Sequence, residues 1–137
     1  TADGSIGHLE LNTTIKDFKA AVGHIKTDKT VGAGSMIKAN TGDNISPLDT
    51  GNQVYEPDAK TTYGSVGYTI ADIELGAVYG VTTYSTNNYK EKELNLTASY
   101  PITEALTASV LYGDVDADAL GGGNDDKYVL ASVEYKF

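Results

Sequence analysis

Hydrophobic and polar residues alternate along most of this chain of 137 residues, and the pattern is plainest near the C-terminus. There every second position from 129 to 137 is apolar or aromatic, and the positions between them include Ser132, Glu134 and Lys136. Because side chains of a β-strand point alternately to its two faces, this pattern predicts a strand with one apolar and one polar face. The predicted strand ends on Phe137, and a membrane interface offers such a terminal ring an apolar surface.

The same alternation marks eight segments, which cover residues 5–12, 15–26, 31–39, 61–71, 73–83, 91–100, 105–115 and 127–137. They are longer than the roughly five or six residues usual in soluble sheets. They are close to the 9–11 residues that a tilted strand needs to cross a bilayer. We therefore predict an all-β fold, an antiparallel up-and-down transmembrane β-barrel of about eight strands. Residues 1–137 form either a single barrel domain or the C-terminal segment of a larger barrel.

The predicted connections alternate in length. They are short around positions 27–30, 72 and 101–104, and longer at 40–60, 84–90 and 116–126. Outer-membrane barrels have short periplasmic turns and long outer loops, so the alternation predicts that orientation. The first hairpin, around Thr13, is the exception because it is short where a long loop is expected. The segment 40–60 is predicted to be either a surface loop or a constriction loop folded inward.

The two predicted faces differ in chemistry. The apolar face carries an aromatic girdle that we expect to contact outer-membrane lipid, namely Tyr79, Tyr100, Tyr112, Tyr135 and Phe137. Tyr79 and Tyr112 are expected near the outer rim and the other three near the periplasmic rim. The polar face supplies the predicted lumen-facing residues, namely Glu74, Asn95, Thr97, Ser99, Thr107, Ser109 and Glu134.

The small size of these polar residues bears on the width of the barrel. A closed eight-stranded barrel is filled by its own side chains, and residues of this size would fill it poorly. They favour the wall of a wider, water-filled lumen, and hence a segment of a larger barrel. Four acids in 40–60, together with Glu74 and Glu134, predict a preference for cations.

Composition excludes several classes of protein. There is no cysteine, so disulfides and thiolate metal sites are absent. The net charge of −9 and the lack of arginine argue against a nucleic-acid partner. The sequence contains no run of 18 apolar residues, so it predicts no transmembrane helix. Residues 1–4 do not resemble a signal peptide, so we expect a mature chain or a piece of one.

Two groups of residues were weighed as candidates for site chemistry. Asp114, Asp116 and Asp118 have the spacing of the first ligands of a calcium loop, but position 119 lacks the glycine that such a loop needs. A solvated acidic loop is favoured over a calcium site, and no other cofactor is expected. His8 and His24 belong to no catalytic motif, which favours lumen or surface roles over a hydrolase. We predict no catalytic residues.

The terminal strand resembles the C-terminal signal of bacterial outer-membrane β-barrels, which the barrel-assembly machinery recognises. The stretches Tyr63-Gly-Ser-Val-Gly-Tyr68 and Ala77-Val-Tyr-Gly80 are similar to the campylobacter-type major outer-membrane porin family. This resemblance implies a water-filled channel for passive diffusion of small hydrophilic solutes, often as a homotrimer. Two alternatives remain open: a soluble β-barrel that binds a ligand in an apolar interior, and a small structural or adhesin barrel of the outer membrane.

Overall fold

The computed structural model describes residues 4–33, 45–51, 53–84, 88–118 and 124–137. These residues form seven strands: β1 (Ile6–Ile15), β2 (Phe18–Thr27), β3 (Lys60–Ile70), β4 (Ile73–Tyr84), β5 (Tyr89–Pro101), β6 (Leu106–Ala117) and β7 (Asn124–Tyr135). Within the described ranges no helix is long and apolar enough to cross a membrane.

All seven strands belong to one antiparallel sheet in the order β1-β2-β3-β4-β5-β6-β7. Each strand pairs with the strand that follows it in the chain, which confirms the predicted all-β, up-and-down arrangement. In the part of the chain that the structure describes, β1 and β7 pair with one neighbour each, so the sheet is open. The described strands therefore form an open sheet rather than a closed ring.

The predicted strand at 31–39 is wrong over the part that the structure describes. Residues 31–33 form a turn in which Gly32 has a φ of 62° and bridges Asp28. The Asp28 carboxylate accepts hydrogen bonds from the N–H groups of Thr30 (2.8 Å) and Val31 (3.1 Å), which also hold the pKa of Asp28 below its usual value. Such side-chain bonds compete with a strand ladder for backbone donors. Residues 34–39 of the prediction lie outside the described residues.

Without a strand at 31–33, the short first hairpin is no longer an exception among the connections. The link between β2 and β3 covers residues 28–59, so the first short turn is followed by a long connection. The first hairpin turn lies at Lys16-Asp17 instead of the predicted position near Thr13, because Ile15 pairs with Phe18. The three connections at the Phe137 end of the sheet, here called the short turns, have two, two and four residues. Those at the other end have 32, four and six residues, so the predicted alternation in length is lost around β5, where both connections have four residues.

The short turns use backbone conformations that suit tight hairpins. Lys16, Ala71 and Asp72 all have positive φ, at 52°, 48° and 66°. Two-residue hairpins need such values to match the right-handed twist of their strands. In the third turn, the Thr103 hydroxyl oxygen accepts the N–H groups of Ala105 (3.2 Å) and Leu106 (3.0 Å).

Successive hairpins are staggered along the strands. Phe18, which begins β2, pairs with Tyr68, and β3 continues past that pair to Ile70 before it turns. In the next hairpin Glu74 pairs with Ser99, and β5 continues to Pro101. A shift of this kind from hairpin to hairpin accompanies strands that tilt relative to a barrel axis. The register thus supports a curved barrel wall.

One face of the sheet, here called the apolar face, is exposed although it is hydrophobic. Its most exposed hydrophobic side chains, at 42–70% exposure, include Leu9, Leu11, Val22, Val66, Tyr68, Leu75, Leu96, Val110, Val129 and Val133. Leu94 shares this face through its pairing with Tyr79. A soluble barrel with a ligand in an apolar interior would bury these side chains together, and the structure does not.

The buried core lies on the opposite face, here called the loop-covered face. The segment 45–59 packs against this face and places Leu48 and Val54 beside Ile25 and Tyr63, all at most 3% exposed. Gly80 allows Leu48 to approach, since a Cβ atom at that position would lie 2.9 Å from the leucine Cδ1. The core is small, and its main effect is to seat this segment on the sheet.

Candidate functional site

The segment 45–59 is anchored to β5 by hydrogen bonds to its backbone. The Glu93 carboxylate accepts the N–H groups of Thr50 (2.7 Å) and Gly51 (2.9 Å), one on each oxygen. The Asn95 side-chain oxygen accepts the N–H of Asp49 at 2.9 Å, and its amide nitrogen donates to Glu93 at 3.0 Å. Three consecutive backbone donors of the segment are therefore held by two neighbouring side chains of one strand.

The anchor uses three alternate positions of β5. Glu91, Glu93 and Asn95 are exposed by only 2%, 1% and 3%, and Glu91 receives a backbone hydrogen bond from Gln53. Buried carboxylates are costly unless they are hydrogen-bonded, so the segment and β5 need each other. The alternation of side chains predicts Asn95 on the polar face, but it does not predict the role of either glutamate. The sequence signal for these glutamates is a pair of acids at alternate positions at the start of β5, on a face of that strand whose other side chains are small and uncharged.

Tyr128 ties the same segment to β7. Its hydroxyl donates to Asp49 Oδ2 at 2.8 Å and lies 2.8 Å from the Thr50 hydroxyl. The ring lies over its cross-strand partner Gly113, where an added Cβ atom would be 2.1 Å from the ring. Only glycine leaves room for the ring in this position.

A second tyrosine is placed in the same way on β3. The ring of Tyr63 lies over its partner Gly23, at which an added Cβ atom would be 2.3 Å away. Its hydroxyl donates to the Glu10 carboxylate and lies 2.7 Å from His8 Nε2. On the loop-covered face, Tyr63 thus links β1, β2 and β3, and Tyr128 links β6, β7 and the segment 45–59.

The substitution Gly113→Ala tests this packing. The new methyl group will displace the Tyr128 ring and weaken its contacts with Asp49 and Thr50, and we expect a loss of about 1–3 kcal/mol in the free energy of unfolding. Denaturant titration in detergent micelles measures it. Gly64→Ala is the control, because a Cβ atom there meets nothing closer than the Ala21 carbonyl at 3.8 Å. Equal stability of the two variants would contradict the packing described here.

The register places all seven predicted lumen-facing residues on the loop-covered face. Glu74, Ser99 and Ser109 lie in one row across β4, β5 and β6, and Thr107 pairs with Glu134. Asn95 alone contacts the segment 45–59, and the rest lie nearer to the short turns. The same face also carries Leu111 and Leu130, which pair with each other. That this face lines a lumen stays a prediction.

The predicted girdle residues share the opposite face. Tyr100 and Tyr135 lie at the short-turn end, and the ring of Phe137 meets that of Tyr135 edge-on at 5.1 Å. The strand itself ends at Tyr135, two residues earlier than predicted. Tyr79 and Tyr112 lie near the middle of β4 and β6, and beyond Tyr112 the same face of β6 carries Asp114 and Asp116. Contact of these rings with lipid stays a prediction.

Three of the remaining candidates, Asp114, Asp118 and His24, contact other groups of the protein. Asp114 Oδ2 lies 3.4 Å from Lys127 Nζ, and Asp118 Oδ2 accepts the backbone N–H of Lys90 at 3.3 Å. Among the described residues no group of three acids or histidines is arranged to hold a metal ion. Calcium binding by Asp114, Asp116 and Asp118 stays an untested prediction. His24 Nδ1 lies 3.0 Å from the Thr62 hydroxyl.

An antiparallel sheet with an exposed apolar face and a polar face crossed by an inward-folded segment is the architecture of an outer-membrane barrel wall. The family model described as Gram-negative porin matches residues 1–137, and the chain belongs to this family. A search of curated proteins finds no match. Membership confirms the predicted porin class and places the protein in the bacterial outer membrane, in a family of channels rather than enzymes. The campylobacter-type resemblance stays a prediction.

Proposed function

We propose that the protein forms a water-filled channel for passive diffusion of small hydrophilic solutes, with no catalytic step and with a preference for cations. The observation that carries the proposal is the anchoring of the segment 45–59 to Glu93 and Asn95 on the loop-covered face. A segment held there narrows the space that this face encloses. The exposed apolar face then meets lipid, and the polar face meets water.

The distribution of charge on the strands supports cation preference. Exposed strand acids on the loop-covered face outnumber exposed strand lysines by four to one, since the acids are Glu10, Glu74, Asp126 and Glu134 and the lysine is Lys19, whereas Glu91 and Glu93 are buried. Asp49 and Glu56, which are exposed on the covering segment, add to them. A lumen lined by one sign of charge attracts ions of the opposite sign.

Reversal potentials in planar bilayers under a KCl gradient test this proposal. We expect potassium to permeate better than chloride, and the double variant Glu74→Gln/Glu134→Gln to reduce that preference at low salt. The difference should vanish near 1 M salt, where the Debye length is about 3 Å. Asp114→Asn is the control, because Asp114 lies on the apolar face and should leave selectivity unchanged. Chloride preference, or the absence of conductance, in the closed barrel to which these strands belong would refute the proposed function.

We also propose that β1 and β7 pair with further strands, so that the chain forms the C-terminal part of a larger barrel. The open sheet, the staggered hairpins and the small residues of the loop-covered face support this arrangement. Recognition of the terminal strand by the barrel-assembly machinery and assembly as a homotrimer belong to the same proposal.

A further inference from the structure

Two leucines interrupt the small polar residues of the loop-covered face. Leu111 of β6 pairs with Leu130 of β7, and both side chains lie on the face that carries the predicted lumen residues. Leu130 is 55% exposed, and Leu111 is partly exposed. A further strand paired with β7 would lie beside Leu130 within the sheet and would leave the face itself uncovered. The pair therefore presents apolar surface to the space that this face encloses.

Tyr128 extends this apolar surface toward the segment 45–59. It precedes Leu130 by two positions on β7, and its ring lies over Gly113 of β6. Gly113 in turn follows Leu111 by two positions, so the ring borders the leucine pair at a distance of about 7 Å along the strands. Leu111, Leu130 and the Tyr128 ring are here called the leucine patch.

Asp49 places a carboxylate at the border of the leucine patch. Its backbone N–H is held by Asn95, which lies in one row with Gly113 and Tyr128, and its Oδ2 accepts the Tyr128 hydroxyl at 2.8 Å. A carboxylate accepts several hydrogen bonds, and Asp49 is exposed. No basic side chain within the described ranges forms an ion pair with it. Its charge is therefore available to a cation in the enclosed space.

The surroundings of the leucine patch carry hydroxyl groups. Ser109 and Ser132 form the next row toward the short turns, and Thr97 continues the leucine row on β5. The exposed strand lysine of this face, Lys19, lies in the leucine row on β2, which is four strand spacings or roughly 19 Å from Leu111 along the sheet. Charge around the patch thus favours a cationic solute over an anionic one.

We propose that the leucine patch and Asp49 bind small organic cations with an apolar group, such as arylalkylamines, as these solutes pass through the channel. The apolar group covers Leu111 and Leu130, and the ammonium group pairs with the Asp49 carboxylate. Removal of apolar surface from water distinguishes these solutes from inorganic cations, which gain from the charge alone. The inference rests on the proposed function, because it takes the loop-covered face as the wall of a water-filled lumen.

Block of the potassium current by benzylammonium tests the proposal, in planar bilayers and on the closed barrel to which these strands belong. We expect benzylammonium to halve the current at a lower concentration than methylammonium, which has the charge alone, or benzyl alcohol, which has the ring alone. The double variant Leu111→Ser/Leu130→Ser should raise the half-blocking concentration of benzylammonium roughly fivefold, which corresponds to a loss of about 40 Å² of apolar contact. That of methylammonium should stay unchanged.

Asp49→Asn tests the charged partner separately. Asparagine keeps an acceptor for the Tyr128 hydroxyl, so the segment 45–59 stays in place. We expect the half-blocking concentration of benzylammonium to rise about threefold, as for a solvated ion pair, and that of benzyl alcohol to stay unchanged. Asp17→Asn is the control, because it removes the same charge from an exposed position in the first short turn.

Two results would overturn the proposal: an unchanged half-blocking concentration of benzylammonium in Leu111→Ser/Leu130→Ser, and equal block of the wild type by benzylammonium and benzyl alcohol. The leucines and Asp49 belong to different elements, so Asp49→Asn remains a test if the double variant fails to assemble. Conductance of the wild type separates the two levels of argument. Its absence refutes the channel and this site with it, whereas a conducting channel that all three solutes block equally refutes the site alone.

Discussion

Glu93→Ala will release the segment 45–59 from the sheet and cost about 3–5 kcal/mol in the free energy of unfolding. The substitution leaves the N–H groups of Thr50 and Gly51 without their acceptor, and each hydrogen bond to a charged group contributes roughly 1.5–3 kcal/mol. A second result follows from the same loss. The released segment will fluctuate in the channel, so single-channel recordings should show larger and noisier currents than the wild type.

The control for Glu93→Ala is Glu134→Ala. Glu134 lies on the same face and carries the same charge, but it is exposed and lies near the short turns, away from the segment 45–59. It should therefore change selectivity slightly and leave both stability and current noise as they are. Glu93→Gln keeps one acceptor oxygen and should fall between the two. If Glu93→Ala unfolds at the same denaturant concentration as Glu134→Ala, the anchor described here does not hold the segment.

The alternation of side chains made the two faces predictable. A strand has a period of two, so the seven lumen-facing predictions and the tyrosines fall on opposite faces as soon as the strands are located. The register confirms the separation, because paired residues share a face. The charges followed the same rule, yet their division between faces became visible only when the register of all seven strands was known.

The described part of the connection between β2 and β3, residues 28–33, 45–51 and 53–59, was harder to predict because much of its packing depends on contacts distant in sequence. Leu48, Val54 and Tyr55 do not alternate with a strand period, and their partners lie on β2, β3 and β4. In the sequence, Glu91 and Glu93 look like ordinary exposed acids on the polar face of a strand. Their burial follows from a segment 40 residues earlier, which no local pattern reports. At residues 31–33 the predicted strand is wrong for a local reason, since alternation alone does not reveal that the Asp28 carboxylate accepts backbone N–H groups of the turn.

Val110→Lys tests the claim on which the membrane assignment depends, that the apolar face meets lipid. Val110 is 42% exposed and lies midway along the apolar part of β6. A lysine on the lipid face of a barrel costs about 2–4 kcal/mol near the bilayer midplane. We expect a loss of that size in the free energy of unfolding from phospholipid vesicles, measured by denaturant titration and by heat-modifiable migration on gels.

Ser109→Lys is the matched control, because it introduces the same group one position away on the opposite face. The loss in the free energy of unfolding should stay below about 1 kcal/mol. It should come chiefly from the lost hydrogen bond between the Ser109 and Ser132 hydroxyls, which are 2.9 Å apart. In water both variants would cost little, since both positions are partly exposed. Only hydrocarbon on one side of the sheet makes Val110→Lys the more damaging of the two. Equal costs would mean that lipid does not cover the apolar face at Val110.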